Sequence, residues 1–362
     1  MAQIDMNNIA HSYMKQPKSE SDYALNELSI SWQDGGAYSL LGPSGCGKTT
    51  LLNILSGLLY PSQGKIWFDG KDVTDLKPKK RNIAQVFQFP VIYDTLTVFD
   101  NLAFPLRNRK LPESHVRKRV LEVGEMLDLK SELNNRASGL TADIKQIISL
   151  GRGLVREDVA VILLDEPLTV IDPHVKWILR RRLKQIHEQF KLTMIFVTHD
   201  QTEAMTFAEQ VVLMKDGVIL QQGTPEELFE KPEHTYVGFF IGDPGINLIP
   251  CKVDGQNAWV EDQPIPIPAA LAGNVLKSPG KLKLGIRPAY CEISSQDVSG
   301  SFPAQVRGID HLGDFRLVKA RLANHDFVVK VPLGEKVSSD EKVWFHFPKE
   351  RIQIFSNEKS VG

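Results

Sequence analysis

Eight consecutive residues, Gly42-Pro43-Ser44-Gly45-Cys46-Gly47-Lys48-Thr49, follow the spacing G-x-x-x-x-G-K-T, which could grip a chain of phosphates. Glycines let a backbone fold into a nest whose N–H groups converge on phosphate oxygens. Lys48 would add a point charge against the β- and γ-phosphates, and the Thr49 hydroxyl would ligate Mg²⁺. Thr50 continues into an apolar run, Leu51-Leu52-Asn53-Ile54-Leu55, that reads as a helix whose N-terminus faces the nucleotide.

Further along, four apolar residues end in two acids: Val161-Ile162-Leu163-Leu164-Asp165-Glu166-Pro167. A buried strand ending in carboxylates places them at the carboxyl edge of a sheet, where such folds bind ligands. Asp165 would hold Mg²⁺, directly or through water, and Glu166 would orient the attacking water as general base. Val197-Thr198-His199-Asp200 ends another strand and brings His199 to that edge. The Gln88 amide could reach both metal and water. Tyr13 could stack on an aromatic base.

The elements that must position these groups are strands alternating with helices. Ala37 to Leu41 reads as a strand before the phosphate loop, and Val161–Leu164 and Thr193–Val197 read as buried parallel strands. Pro173 to Phe190 reads as a helix with a basic outer face. Residues 1–235 thus form an α/β nucleotide-binding domain, with a helical insert over about 89–155. After Lys231-Pro232 the pattern changes to short alternating strands such as Lys281–Ile286 and Asp326–Val331, punctuated by Pro and Gly. Residues 236–362 are therefore expected to form a small β-barrel-like domain.

Composition sets the outer limits. The 362 residues carry 43 Lys+Arg against 44 Asp+Glu, a formal charge of −1, so there is no bulk electrostatic case for nucleic acid. The basic runs Lys77-Pro78-Lys79-Lys80-Arg81 and Arg180-Arg181-Arg182 read as solvated faces. Three cysteines make no disulfide framework, and a reducing cytoplasm is the natural compartment. The N-terminus lacks the features of a signal peptide, and no apolar stretch approaches the roughly 20 residues that cross a bilayer.

Phosphate loop, Gln88, helical insert, Asp165-Glu166 and His199 occur in that order. In this the chain resembles the ATPase subunits of ABC transporters. Thr169-Val170-Ile171-Asp172 matches the family's D-loop, with Asp172 as its aspartate, and Tyr13 falls at its adenine-stacking position. The tail, with Leu284-Gly285-Ile286-Arg287-Pro288 and Phe347-Pro348-Lys349-Glu350-Arg351, is similar to the OB/TOBE-type regulatory domain of the maltose and carbohydrate importer branch. The resemblance implies an ATP- and Mg²⁺-dependent ATPase at the cytoplasmic face of the inner membrane. It would dock on two transmembrane permease subunits through the segment from Phe89 to about Leu133, and a solute-binding protein would feed the complex. The transported solute would be a carbohydrate or polyol, and a looser likeness points to the paired ATPase subunits of glycerol importers.

One motif departs from the family. Where its members carry L-S-G-G-Q, this chain has Leu140-Thr141-Ala142-Asp143-Ile144. A competing register, Ala137-Ser138-Gly139-Leu140, looks more like the motif but lies three residues too early. In the preferred register Asp143 would satisfy the N–H groups of a helix N-terminus, where the family places a partner's γ-phosphate. One extra negative charge about 4 Å from that phosphate costs on the order of 4 kcal/mol at an effective dielectric of about 20. The milder alternative is that Asp143 turns outward as an ordinary cap. The expectation is a heterodimer in which a second ATPase subunit supplies an intact signature. The rival reading is a nucleotide-sensing regulator whose hydrolysis is incidental.

Overall fold

Short apolar runs without alternation become strands covered on both faces. In the computed structural model, which describes residues 2–335, 337–339 and 341–362, they build a six-stranded sheet. Its spatial order is Val218–Gly223, Gln210–Lys215, Ala37–Leu41, Met194–Thr198, Ile162–Asp165 and Ala84–Val86. All neighbours run parallel except the outermost pair, Val218–Gly223 against Gln210–Lys215. Leu41 lies opposite Thr198, Asp165 opposite Val197, and Val86 opposite Leu164. The residues that leave these strands therefore emerge along one edge.

A second, antiparallel sheet of four strands is centred on Ile4–His11 and Gln63–Phe68. Its inner face packs with the helix Lys48–Ser56 in one core that includes Ile4, Met6, Trp32, Leu51, Leu55 and Leu163. Between the strands Ala84–Val86 and Ile162–Asp165 the chain forms three principal helices, Val98–Arg107, Glu113–Met126 and Ala142–Leu154. Thr97 starts the first by accepting the Asp100 N–H at 3.0 Å, a local cap that fixes where the helix begins. The helix Pro173–Phe190 spans the expected residues.

The basic run ending at Arg81 is not uniformly solvated, because Arg81 is fully buried. Its guanidinium donates to Ile54 O at 2.6 Å, Leu55 O at 2.8 Å, Leu76 O at 2.8 Å and Thr74 O at 2.7 Å. The first two are carbonyls of the last turn of the helix Lys48–Ser56 and sit at its negative end. Arg180 to Arg182 meet the expectation better: Arg181 stacks over the exposed Trp177, and Arg182 pairs with Asp128 at 3.0 Å.

Two compact units divide between Pro225 and Glu226, ahead of the expected boundary at 235. The reason is Arg287, buried in the second unit, which donates to Phe229 O at 2.7 Å, to Gly238 O at 2.7 Å and to Ile241 O. These contacts fasten the short helices Pro225–Glu230 and Thr235–Phe240 to the β-rich part of the chain. Burial pushes the guanidinium down to about 10, still charged at neutral pH. Among the described residues the rest of the unit holds the helix Ala269–Val275 and three antiparallel sheets, the largest ordered Glu292–Ser294, Lys342–His346, Ser301–His311, Phe315–Leu322 and His325–Pro332. Inward positions alternate along these strands around Phe302, Phe327, Phe345 and Phe347, and the sheet curls as a half-barrel of OB type.

Arg81→Met keeps the volume and removes all four donated bonds. It is expected to lower stability by about 2–3 kcal/mol, measured as a shift in the urea unfolding midpoint.

Candidate functional site

Three glycines of the phosphate loop take left-handed backbone angles: Gly42 at φ +156°, Gly45 at +84° and Gly47 at +101°. A Cβ on Gly42 would lie 2.2 Å from Met214 O, and one on Gly47 would lie 2.5 Å from Ala24 O, so no larger residue fits either place. Gly47 is also the N-cap of the helix Lys48–Ser56 and supplies no capping side chain. The first N–H groups of that helix are thus left for an anion. Ser44 and Gly45 form the exposed tip of the loop, and Pro43 is half-buried.

Lys48 is buried, and its ammonium donates to Gly42 O at 2.8 Å and Pro43 O at 2.9 Å. Neutral carbonyls hold the charge in the loop without cancelling it. Cys46 is buried beneath it, 4.0 Å from Lys48 Nζ, and burial pushes its thiol up, so it is not poised as a nucleophile.

Thr49 donates to Asp165 Oδ1 at 3.4 Å across the sheet edge. Burial, and then the neighbouring charge of Glu166, push the Asp165 carboxyl above its ordinary range, with Thr49 and Lys48 acting the other way. A divalent cation between Thr49 and Asp165 would reverse that balance. This pair therefore suits Mg²⁺, which takes one or two protein oxygens and completes its shell with phosphate and water.

Glu166 sits in the left-handed region at φ +44°, uncommon for a residue with a side chain. From that turn its carboxylate reaches the next strand end. There His199 Nδ1 lies 3.2 Å from Glu166 Oε2, and the Thr169 hydroxyl donates to the same oxygen at 3.3 Å. Glu166 is largely covered while His199 is half exposed. The residues flanking His199 are anchored. Thr198 donates to the buried Glu203 at 2.7 Å and accepts the Asp200 N–H at 3.0 Å, while Asp200 caps the helix Gln201–Phe207.

The structure thus brings Thr49, Asp165, Glu166 and His199 to one edge beside Lys48. Gln88 follows the strand Ala84–Val86 onto the same edge, half-buried, but forms no hydrogen bond with the acids. The exposed Tyr13 shares a hydrogen bond with Thr50 at 3.1 Å and meets His11 edge-on, which holds its ring beside the loop helix. The helix Ala142–Leu154 begins in the preferred signature register, with Thr141 as its N-cap. Asp143 does not satisfy the N–H groups there as expected. It lies one residue past Ala142, inside the first turn, whereas a side chain reaches those groups from the cap position. Sequence reasoning missed Gln146, an amide that this helix buries with Ile148, Ser149 and Leu150, and the supporting contacts of Thr169 and Glu203.

Over most of its length the chain matches known import ATP-binding proteins. It is 37% identical over 92% of its length, and over 93% of theirs, to the sn-glycerol-3-phosphate import ATP-binding proteins UgpC of two Escherichia coli strains, O1:K1 / APEC and UTI89 / UPEC. It belongs to the ABC transporter family. The ABC transporter family model matches residues 25–169, which include the phosphate loop, Asp165 and Glu166, and the TOBE domain model matches 284–355. A solved structure, cbiO1 from Clostridium perfringens, described as part of the ABC transporter complex cbiONQ, covers 63% of this chain and 90% of its own at 26% identity and a TM-score of 0.57. The chain is an ATP-binding subunit that couples ATP hydrolysis to transport.

Lys48→Ala removes the only ammonium held inside the loop among the described residues. It is expected to weaken ATP binding at least about tenfold, measured by calorimetric titration in the presence of magnesium.

Proposed function

We propose that this ATPase drives import of glycerol or a phosphorylated glycerol and works beside a second, different ATPase subunit. The observation that carries the catalytic part is the gathering of Lys48, Thr49, Asp165, Glu166 and His199 along one sheet edge, with Thr49 bonded to Asp165 and His199 in contact with Glu166. In this reading Gly42, Pro43, Ser44, Gly45, Cys46, Gly47 and Thr50 supply the backbone cradle, and Lys48 meets the β- and γ-phosphates. Thr49 and Asp165 would hold Mg²⁺, and Gln88 at the same edge would be a further oxygen donor to it. Tyr13 stacks on the adenine. Glu166 takes a proton from the attacking water, oriented by Thr169 and by His199, which also steadies the γ-phosphate.

The solute class rests on the relatives, whose names specify sn-glycerol-3-phosphate import. Among the described residues, no helix is long and apolar enough to cross a membrane. We place the chain at the cytoplasmic face of the inner membrane, held by two permease subunits, with a solute-binding protein acting on the far side. The segment following Gln88 offers these permeases Phe89, Val91 and Tyr93 as exposed apolar groups. Beside them is a cavity of about 380 Å³ lined by Phe87, Phe104, Pro105 and Arg152.

The need for a second ATPase rests on Asp143. Thr141 offers no capping bond, so the N–H groups at the start of the signature helix remain available for a partner's phosphate, with the Asp143 carboxylate in the same turn. That charge opposes the anion those N–H groups attract. This chain would then provide a sound loop and acids but a weak signature.

Glu166→Gln is expected to bind ATP normally and to slow turnover by at least about a hundredfold, and unchanged turnover would remove its role as base. Turnover of the purified chain alone should be low and should rise at least about tenfold with the second subunit. Asp143→Gly should narrow that gap. Full activity of the chain alone would remove the need for a different partner. Purification from detergent-solubilised membranes should bring two membrane proteins with the chain, whereas a free regulator would bring neither.

A further inference from the structure

Gln146 lies one turn into the helix Ala142–Leu154 and is wholly buried. Its amide nitrogen donates to the carbonyl of Phe87 at 2.9 Å and to that of Pro167 at 3.0 Å. Both neighbours are pure acceptors, so the nitrogen and not the oxygen must face them. The amide oxygen is consequently buried with no hydrogen-bond partner among the described residues. An unmet buried acceptor destabilises a fold, and a methionine would fill the same space without one. Packing alone therefore does not account for a glutamine here; the two donated bonds do.

Those bonds end at informative places. Phe87 immediately precedes Gln88, and Pro167 immediately follows Glu166. One side chain ties the helix capped by Thr141, with Asp143 in its first turn, to the backbone beside two residues of the nucleotide site. Gln146 makes no hydrogen bond to the loop Gly42–Thr49.

We infer that Gln146 is a positioning residue for hydrolysis. It holds the backbone at Gln88 and Glu166 in register with the signature helix, so that a shift of that helix moves both residues together. The start of this helix faces the second subunit's nucleotide in the reading above, on which the inference rests. Engagement there would be carried, one turn later, to the water-activating end of this chain's own site. The movement need only be small, since a misplacement of about 1 Å can cost about a hundredfold in rate.

The test is steady-state ATP turnover of Gln146→Met in the assembly with the subunits that co-purify with the chain. The expected result is a kcat lowered about tenfold or more, a KM for ATP within about threefold of the unsubstituted protein, and a melting temperature within a few degrees of it. Gln146→Glu puts a carboxylate oxygen against two carbonyl oxygens and should lower kcat further. An unchanged kcat in a folded variant would overturn the inference, as would a KM that rises in proportion while the melting temperature falls. If Gln146→Met does not fold, the same comparison is made on Gln146→Asn, whose amide is too short to span both carbonyls. Failure of both to fold would show that the bonds serve stability alone. Absence of turnover in the unsubstituted assembly would reject the ATPase reading itself, a result distinct from all of these.

Discussion

The site depends on the register of parallel strands. Hydrogen bonds set Leu41 opposite Thr198 and Asp165 opposite Val197, so the residues leaving each strand reach the edge at matched heights. Because side chains alternate across a sheet, a slip of one residue would turn Asp165 to the other face and carry Glu166 out of reach of His199. The apolar runs before these residues are what hold the register, since both faces of the strands are buried. Catalytic placement is here a by-product of hydrophobic burial.

Electrostatics makes that edge receptive to a metal-bound anion. Two adjacent carboxylates lie near a buried ammonium, yet Lys48 is satisfied by peptide carbonyls and Asp165 by a threonine hydroxyl. The opposite charges are close without forming a direct ion pair. Each retains unspent capacity, which phosphate oxygens and a divalent ion would use at once. A tight Lys48–Asp165 pair would have to be broken before the ligand could enter.

Much of this was legible in the amino-acid order because its signals are local. Eight contiguous residues specify the loop, four apolar residues followed by acids specify a strand end, and the same logic finds His199. What stayed hidden depends on contacts between distant segments. Nothing in Lys79-Lys80-Arg81 marks Arg81 as the one that folds inward, since two of its four acceptors belong to a helix that ended at Ser56. The left-handed turn at Glu166 is invisible because a glutamate carries no preference for it. Gln146 looks like an ordinary helix former until its acceptors come together. Composition changes after Pro232 but the compact units part after Pro225, for a related reason: Arg287 draws the backbone at Phe229 into the second unit.

That arginine also governs how the polypeptide can be divided. Its guanidinium reaches the backbone at Phe229, while nearby Glu230 accepts from Tyr290 and pairs with Arg351 at 2.8 Å. Cleavage or gene dissection at residue 235 would strand a buried cation without the Phe229 carbonyl, one of its three acceptors, and strip two neighbours of a shared carboxylate. A severance after Pro225 would leave the β-rich module with its own fastenings intact. The natural seam for exchanging such modules between proteins therefore lies upstream of the composition change, within the first turn of a helix.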